Sequence, residues 1–422
     1  MKKISAVILL CSMLLLLMNI SVVCAASRPL FYSSPTMAQT KPTAPKKEGD
    51  AVMVSAQASV QLDLESPSAV LIEGSTGTII YDKNKNEKLK PASITKIMTL
   101  LLIFDALNSG QITLTDEVSV SEYAASMGGS QVYLEPFEVQ DVNTMIKCIS
   151  IASANDASVA MAEKIAGSEE EFVARMNDKA KELGMNNTHF VNCCGLDTDN
   201  HYSSAYDVAL MSRELITKYP QISQYSTVWM DTITHTTRKG TSEFGLTNTN
   251  KLIKFYQGIT GLKTGSTSLA KYCLSATAKK ENMNLIAVIM AAPDTKTRFL
   301  EASKLLNYGF ANYSIYTDDN SDTVLAPVKV SRGVAETVQG KTAQDFSYLC
   351  SKGRSPEEIR KEVVYNEKVE APVAQNSKIG EIIYYYQNDK IGTIDILALE
   401  TIDKAGLKDY FVKVLKRHFI GK

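Results

Sequence analysis

The chain has 422 residues, 45% apolar and 22% charged, with 45 Lys plus Arg against 46 Asp plus Glu. That length suits two or three domains of ordinary globular balance, and a net charge of -1 gives no support to a nucleic-acid binder acting through bulk charge. Cys11, Cys24, Cys148, Cys193, Cys194, Cys273 and Cys350 are too few for a disulfide scaffold, and no C-x-x-C pair suggests structural zinc.

Lys2 and Lys3 precede a largely apolar run from Ile4 to Val23, and small residues follow at Val23-Cys24-Ala25-Ala26. The pattern is that of an export signal over residues 1–25. An uncleaved membrane helix is the alternative, because the run is near spanning length. Residues 26–58 carry Pro29, Pro35, Pro42 and Pro45 and read as a flexible tether. Removal of the signal leaves five cysteines in a compartment where disulfides persist. A ring between the neighbours Cys193 and Cys194 is strained, so all five read as small buried or half-buried side chains.

Residues 59–318 form the first folded unit. Ser68 to Lys83 reads as a strand pair turning at Gly74 to Gly77. Helical patterns follow at Pro91 to Leu107, Asp141 to Ile151 and Asp156 to Ala166. Ser168 with Glu171 forms a capping box, and Gly184 closes the helix it opens. After residue 230 the pattern turns to strands: Tyr272, Leu274 and Ala276 alternate, and Leu285 to Met290 is a continuous apolar run that fits a buried central strand. A helix over about 297–308 ends the unit. Strands at both ends with helices between them imply one sheet covered by helices, beside a helical cluster.

Residues 319–400 change texture, with short β-type runs at 324–325, 328–330, 361–365, 379–386 and 391–399, and read as a small all-β domain. Over 401–422, Leu407, Phe411, Val414, Leu415 and His418 fall at helical spacing beside six Lys and Arg and two Asp. A basic amphipathic helix of this kind suits an anionic bilayer surface; the alternative is a last helix packed on its own domain.

Three motifs carry chemistry. In Ser93-Ile94-Thr95-Lys96 the hydroxyl and the amine share a helix face, and a Lys of lowered pKa can remove the serine proton. In Ser153-Ala154-Asn155, Ser153 can relay a proton and Asn155 can hydrogen-bond Lys96 and a substrate amide. Lys263-Thr264-Gly265 precedes a β pattern: an edge strand there can pair with a peptide, Lys263 and Thr264 can hold a carboxylate, and Gly265 allows close backbone approach. Each motif alone also reads as a helix cap or a strand end.

The three in this order resemble the low-molecular-mass penicillin-binding proteins, the serine D-alanyl-D-alanine carboxypeptidases. Pro91-Ala92-Ser93, Ser153-Ala154-Asn155-Asp156-Ala157, Gly195-Leu196-Asp197, Tyr202-Ser203-Ser204-Ala205 and Gly261-Leu262-Lys263-Thr264-Gly265 extend the likeness across about residues 65–315. The resemblance implies an α/β (α+β) transpeptidase/β-lactamase-like catalytic domain followed by the β domain and helix. It implies peptidoglycan stem peptides ending in D-Ala-D-Ala as substrate and β-lactams as covalent ligands, with no metal and no cofactor. It places Ser93 as nucleophile, Lys96 as base, and the N–H groups of Ser93 and Ser266 around the oxyanion. Arg298, at the helix after the apolar strand, resembles the arginine that helps bind the terminal carboxylate; otherwise it is a surface arginine. The location implied is exported, on the outer face of the cytoplasmic membrane. Ala154 departs from the Gly that many relatives carry, and Ser266 and Cys194 from residues that some relatives carry. The nearest rival, a class A β-lactamase, needs a loop glutamate between the second and third motifs; Glu214 and Glu243 lie in that interval without such a loop. The four histidines and the absence of a G-x-S-x-G elbow speak against a Ser-His-Asp hydrolase.

Overall fold

The structure is a computed structural model describing residues 62–419, apart from 321, 322 and 324. The expected export signal, the tether, Cys11, Cys24, Val324 and residues 420–422 lie outside the described residues.

Strand β1 (Ser68–Glu73) is buried along its whole length and pairs antiparallel with β2 (Ile79–Lys83). Three later strands complete a five-stranded sheet: β5 (Ile259–Thr267), β6 (Lys271–Lys280) and β7 (Met283–Ala292), in the order β2-β1-β7-β6-β5, where β3 (Met230–Thr237) and β4 (Gly240–Thr247) form a separate hairpin. The run Leu285 to Met290 is the buried middle strand that its unbroken apolar pattern predicts. Its side chains divide by parity, as strand geometry requires. Leu285, Ala287 and Ile289 pack with Leu71, Leu305 and Leu306, while Ile286, Val288 and Met290 join Val70 and Ile72 in the larger core with the helices. Strand β5 stands at the sheet edge.

The larger core is built from α1 (Lys96–Asn108), α2 (Val142–Lys147), α3 (Asn155–Ala166), α4 (Glu169–Glu182) and α5 (Ala205–Lys218). Ser168 caps α4 by accepting from the Glu171 N–H at 3.2 Å. The expected helix from Asp141 to Ile151 is α2 followed by a wider π-type turn, Cys148–Ala152, which ends on Ser153 at φ 64. Helix α6 (Thr295–Asn312) covers the other face of the sheet; the Asp294 carboxylate accepts from Thr297 N–H, so it begins two residues before the apolar pattern indicates.

Strand β8 (Tyr313–Asp318) follows α6 directly and pairs not with the first sheet but with β10 (Phe346–Ser351), beyond β9 (Val328–Ser331). The chain thus crosses into its second layer set at Tyr313, and β8 lies wholly on the near side of a boundary drawn at 318/319 although it pairs beyond it. Strands β11 (Ile359–Tyr365), β12 (Lys378–Tyr386) and β13 (Asp389–Ala398) form the main antiparallel sheet of this β domain. Its own core centres on Tyr384, whose ring stacks on Phe346 at 3.7 Å. Helix α7 (Leu407–Phe419) ends the described chain with Leu407 91% and Phe411 66% exposed.

Candidate active site

The first motif begins on a strained residue. Ala92 sits at φ 48, in the left-handed region, and opens a single 3-10 turn, Ala92–Thr95, that runs straight into α1. Two glycines hold this turn from outside. A Cβ on Gly195 would stand 1.8 Å from the Ala92 carbonyl oxygen, and one on Gly265 would stand 2.8 Å from Pro91 O and 2.9 Å from Ser93 N. The edge strand therefore lies backbone-to-backbone against the turn that carries Ser93, which is partly exposed.

Lys96 lies one turn further on and is fully buried. Its Nζ donates to Ser93 Oγ at 3.2 Å, Asn155 Oδ1 at 2.6 Å and the Cys194 carbonyl at 2.8 Å. No carboxylate is among these three acceptors. Burial presses the amine below its usual pKa, against the pull of Cys194, Cys193 and Asp156.

Asn155 opens α3 and holds the second motif in place. Its Nδ2 donates to Gly128 O at 2.6 Å, and its own N–H donates to Ser130 O at 2.7 Å. The adjacent Asp156 is buried and accepts from the N–H groups of Val132, Leu134 and Ala157. The loop over 128–134 is thereby stitched to the start of α3. Ser153, in its left-handed conformation, keeps Oγ buried with no hydrogen-bond partner among the described residues. An unpartnered buried hydroxyl and a strained backbone at one residue mark a functional position.

On β5, Lys263 is buried and its Nζ donates to Thr264 O at 3.1 Å. Burial, then the charges of Lys96 and Arg298, push its pKa well below the usual value. Thr264 Oγ1 lies 2.6 Å from Thr249 Oγ1. Ser266 is exposed and lines an open depression of about 310 Å³ with Thr267, Ser268, Lys271 and Tyr272. Arg298 is buried rather than a surface residue: Nη1 donates to Gly265 O at 3.1 Å and Cys273 O at 3.3 Å, beneath the same strand. Lys96, Lys263 and Arg298 thus converge, an array suited to an anionic ligand group.

Several parts of the site carry no signal in sequence. The Cys194 carbonyl reaches Lys96 across 98 positions, and Gly128 reaches Asn155 across 27; both use backbone oxygen, which every residue has. His201 is buried, with Nδ1 accepting from Val191 N–H, so Nε2 carries the proton toward Thr95 Oγ1 at 2.9 Å. Burial lowers its pKa to about 4. It is a neutral support for the Ser93 turn. Glu214 pairs with Lys218 on α5 and Glu243 is exposed on β4, so neither of the two stands among the motif residues. All five described cysteines are buried free thiols.

A partly exposed serine, a buried lysine one turn away with no carboxylate among its hydrogen-bond acceptors and a cationic edge strand define a serine acyl-transfer enzyme of the penicillin-interacting kind. The comparisons with known proteins make this specific. Residues 53–294 match the family model described as D-alanyl-D-alanine carboxypeptidase, and residues 312–404 match that of the penicillin-binding protein 5 C-terminal domain. The D-alanyl-D-alanine carboxypeptidase DacF of Bacillus subtilis is 46% identical over 357 residues, 85% of this chain and 90% of that protein. DacA of Escherichia coli is 30% identical over 371 residues, 86% of this chain and 90% of its own. Among solved structures, penicillin binding protein 5 of Haemophilus influenzae aligns with a TM-score of 0.69 at 29% identity, covering 82% of this chain and 100% of that one. Penicillin binding protein 6B of Escherichia coli gives 0.63 at 29% identity, covering 82% and 98%. The chain belongs to the D-alanyl-D-alanine carboxypeptidase family of serine peptidases.

Proposed function

We propose that this chain removes the terminal D-alanine from peptidoglycan stem peptides through an acyl-enzyme on Ser93, and that penicillins acylate the same hydroxyl. The observation that carries the reading is the Lys96 Nζ to Ser93 Oγ contact of 3.2 Å, made by an amine buried without a carboxylate partner. In its unprotonated form Lys96 takes the Ser93 proton as Oγ attacks the carbonyl between the two D-alanines. The backbone N–H groups of Ser93 and Ser266 receive the oxyanion. Ser153, whose Oγ has no other described partner, passes the proton to the departing D-alanine nitrogen. Water then hydrolyses the ester, and Lys96 again accepts its proton.

Asn155 orients Lys96 and a substrate amide. The terminal carboxylate is held by Lys263 and Thr264, with Arg298 adding charge from beneath the strand. The peptide backbone pairs with edge strand β5, where Gly265 admits it closely. We also assign the enzyme to the outer face of the cytoplasmic membrane in cell-wall remodelling. Helix α7 supports this placement, with Leu407, Phe411 and Val414 exposed on a chain segment rich in Lys. No helix among the described residues is long and apolar enough to cross a membrane.

The test compares wild type and Ser93→Ala for fluorescent-penicillin labelling and for D-alanine release from a pentapeptide. Wild type does both; the variant, folded to the same melting temperature, does neither, with activity down by roughly a thousandfold or more. Equal labelling of the two proteins sinks the assignment. Fast nitrocefin turnover without D-alanine release would favour the β-lactamase instead.

A further inference from the structure

Beneath the catalytic lysine lies a cluster that the reaction does not use. Cys193 Sγ, Cys194 Sγ and a Glu169 carboxylate oxygen all lie within 4.8 Å of one another, and all three residues are buried. We propose that these three groups bind one thiophilic divalent cation, for which Zn²⁺ is the probe, and that its binding inhibits the enzyme.

The sulfur separation is the first argument. Side chains of adjacent residues usually diverge, yet these two sulfurs are 3.7 Å apart. Two Zn–S bonds of about 2.3 Å at a tetrahedral angle set sulfurs roughly 3.8 Å apart. A disulfide fits less well. It needs about 2.0 Å between sulfurs and normally about 4.4 Å or more between Cα atoms, whereas neighbours across a trans peptide are about 3.8 Å apart.

The third ligand is held in place. Glu169 sits in the first turn of α4; its Oε1 accepts the Cys193 N–H at 2.9 Å, and its Oε2 accepts from the Tyr123 hydroxyl at 2.6 Å. Such outer hydrogen bonds orient a carboxylate toward a metal. Tyr123, whose hydroxyl meets Glu169, is 48% exposed, so the proposed route in from solvent is past the phenol, and a water would complete the coordination. Binding releases two thiol protons to solvent and leaves two thiolates and one carboxylate around the ion.

Inhibition follows from where Cys194 stands. Its sulfur belongs to the cluster and donates to Asn155 O at 3.5 Å, while its carbonyl accepts from Lys96 Nζ at 2.8 Å. An ion that draws the sulfur toward Glu169 shifts that carbonyl and with it the amine. The binding rests on none of the catalytic assignments; the inhibition rests on Lys96 being the base.

The test uses the full mature protein, reduced and stripped with a chelator. Zn²⁺ is titrated against a chromophoric chelator, and Co²⁺ is added separately to read tetrahedral geometry from its visible absorption. Expected are one equivalent of Zn²⁺ and an intense Co²⁺ band in wild type. Affinity falls roughly tenfold or more in Cys193→Ser and in Glu169→Gln. Cys193→Ser checks the fold independently, because it still labels with fluorescent penicillin in the absence of metal. At saturating Zn²⁺, labelling slows in wild type and not in Cys193→Ser. Wild type binding no more Zn²⁺ than Cys193→Ser overturns the site, as does a Cys193–Cys194 disulfide that survives reduction. One equivalent bound with unchanged labelling overturns the inhibition alone.

Discussion

Gly265→Ala probes the contact on which the site depends. The added methyl would stand 2.8 Å from Pro91 O, 2.9 Å from Ser93 N and 3.0 Å from Ile94 N. All three are backbone atoms, so no side chain can rotate away. Restoring ordinary contact needs β5 and the Ser93 turn to separate by about half an ångström or more. Overpacking of this kind costs about 1–3 kcal/mol. A displacement of about 1 Å at a reacting centre costs about a hundredfold in rate, so a tenfold to hundredfold slower acylation is expected here. The assay is the second-order rate of fluorescent-penicillin labelling, paired with urea unfolding. Gly245→Ala on β4 is the control, since nothing lies within 4 Å of its added Cβ. A folded Gly265→Ala protein that labels at the wild-type rate would refute the claim that strand and turn must touch for catalysis.

Two other outcomes follow from the same geometry. Burial holds Lys96 below its usual 10.5, and its unprotonated form is the base. Acylation is therefore expected to rise with pH, to plateau below 10.5, and to be lost as pH falls through the lowered pKa. Asn155→Ala removes the 2.6 Å acceptor that favours the ammonium, so the rising limb moves to lower pH as the maximal rate drops; a limb that moves upward contradicts the scheme. Helix α7 is tested with Leu407→Glu plus Phe411→Glu, at positions too exposed to bear on folding. Co-sedimentation of the protein produced without residues 1–25 with phosphatidylglycerol vesicles should be lost, and retention equal to wild type rules the helix out as the anchor.

The sheet and the three motifs were legible because periodicity and short spacing carry them. The Leu285 to Met290 run announced a two-sided strand, and Ser93 with Lys96 announced a shared helix face. What lay hidden was non-local or conformational. Nothing in Ser153-Ala154-Asn155 shows that a π-type turn throws Ser153 to φ 64. Arg298 read equally as a surface residue because only the folded sheet brings Gly265 O and Cys273 O to its guanidinium. The two cysteines read as inert small side chains, since Glu169 stands 24 positions from Cys193 and only the close of α4 on that loop unites them. Strand β8 was absorbed into the first unit because its partner β10 begins 28 residues after its end.

An open sheet edge is hazardous in a concentrated cell envelope, because any extended chain can pair with it and seed aggregation. Strand β5 leaves such an edge, and it carries a buried amine, Lys263, in its middle. The edge proposed to receive substrate is thus also the edge at which a second copy would pair, so recognition of an extended peptide and the hazard of self-association rest on one row of backbone groups.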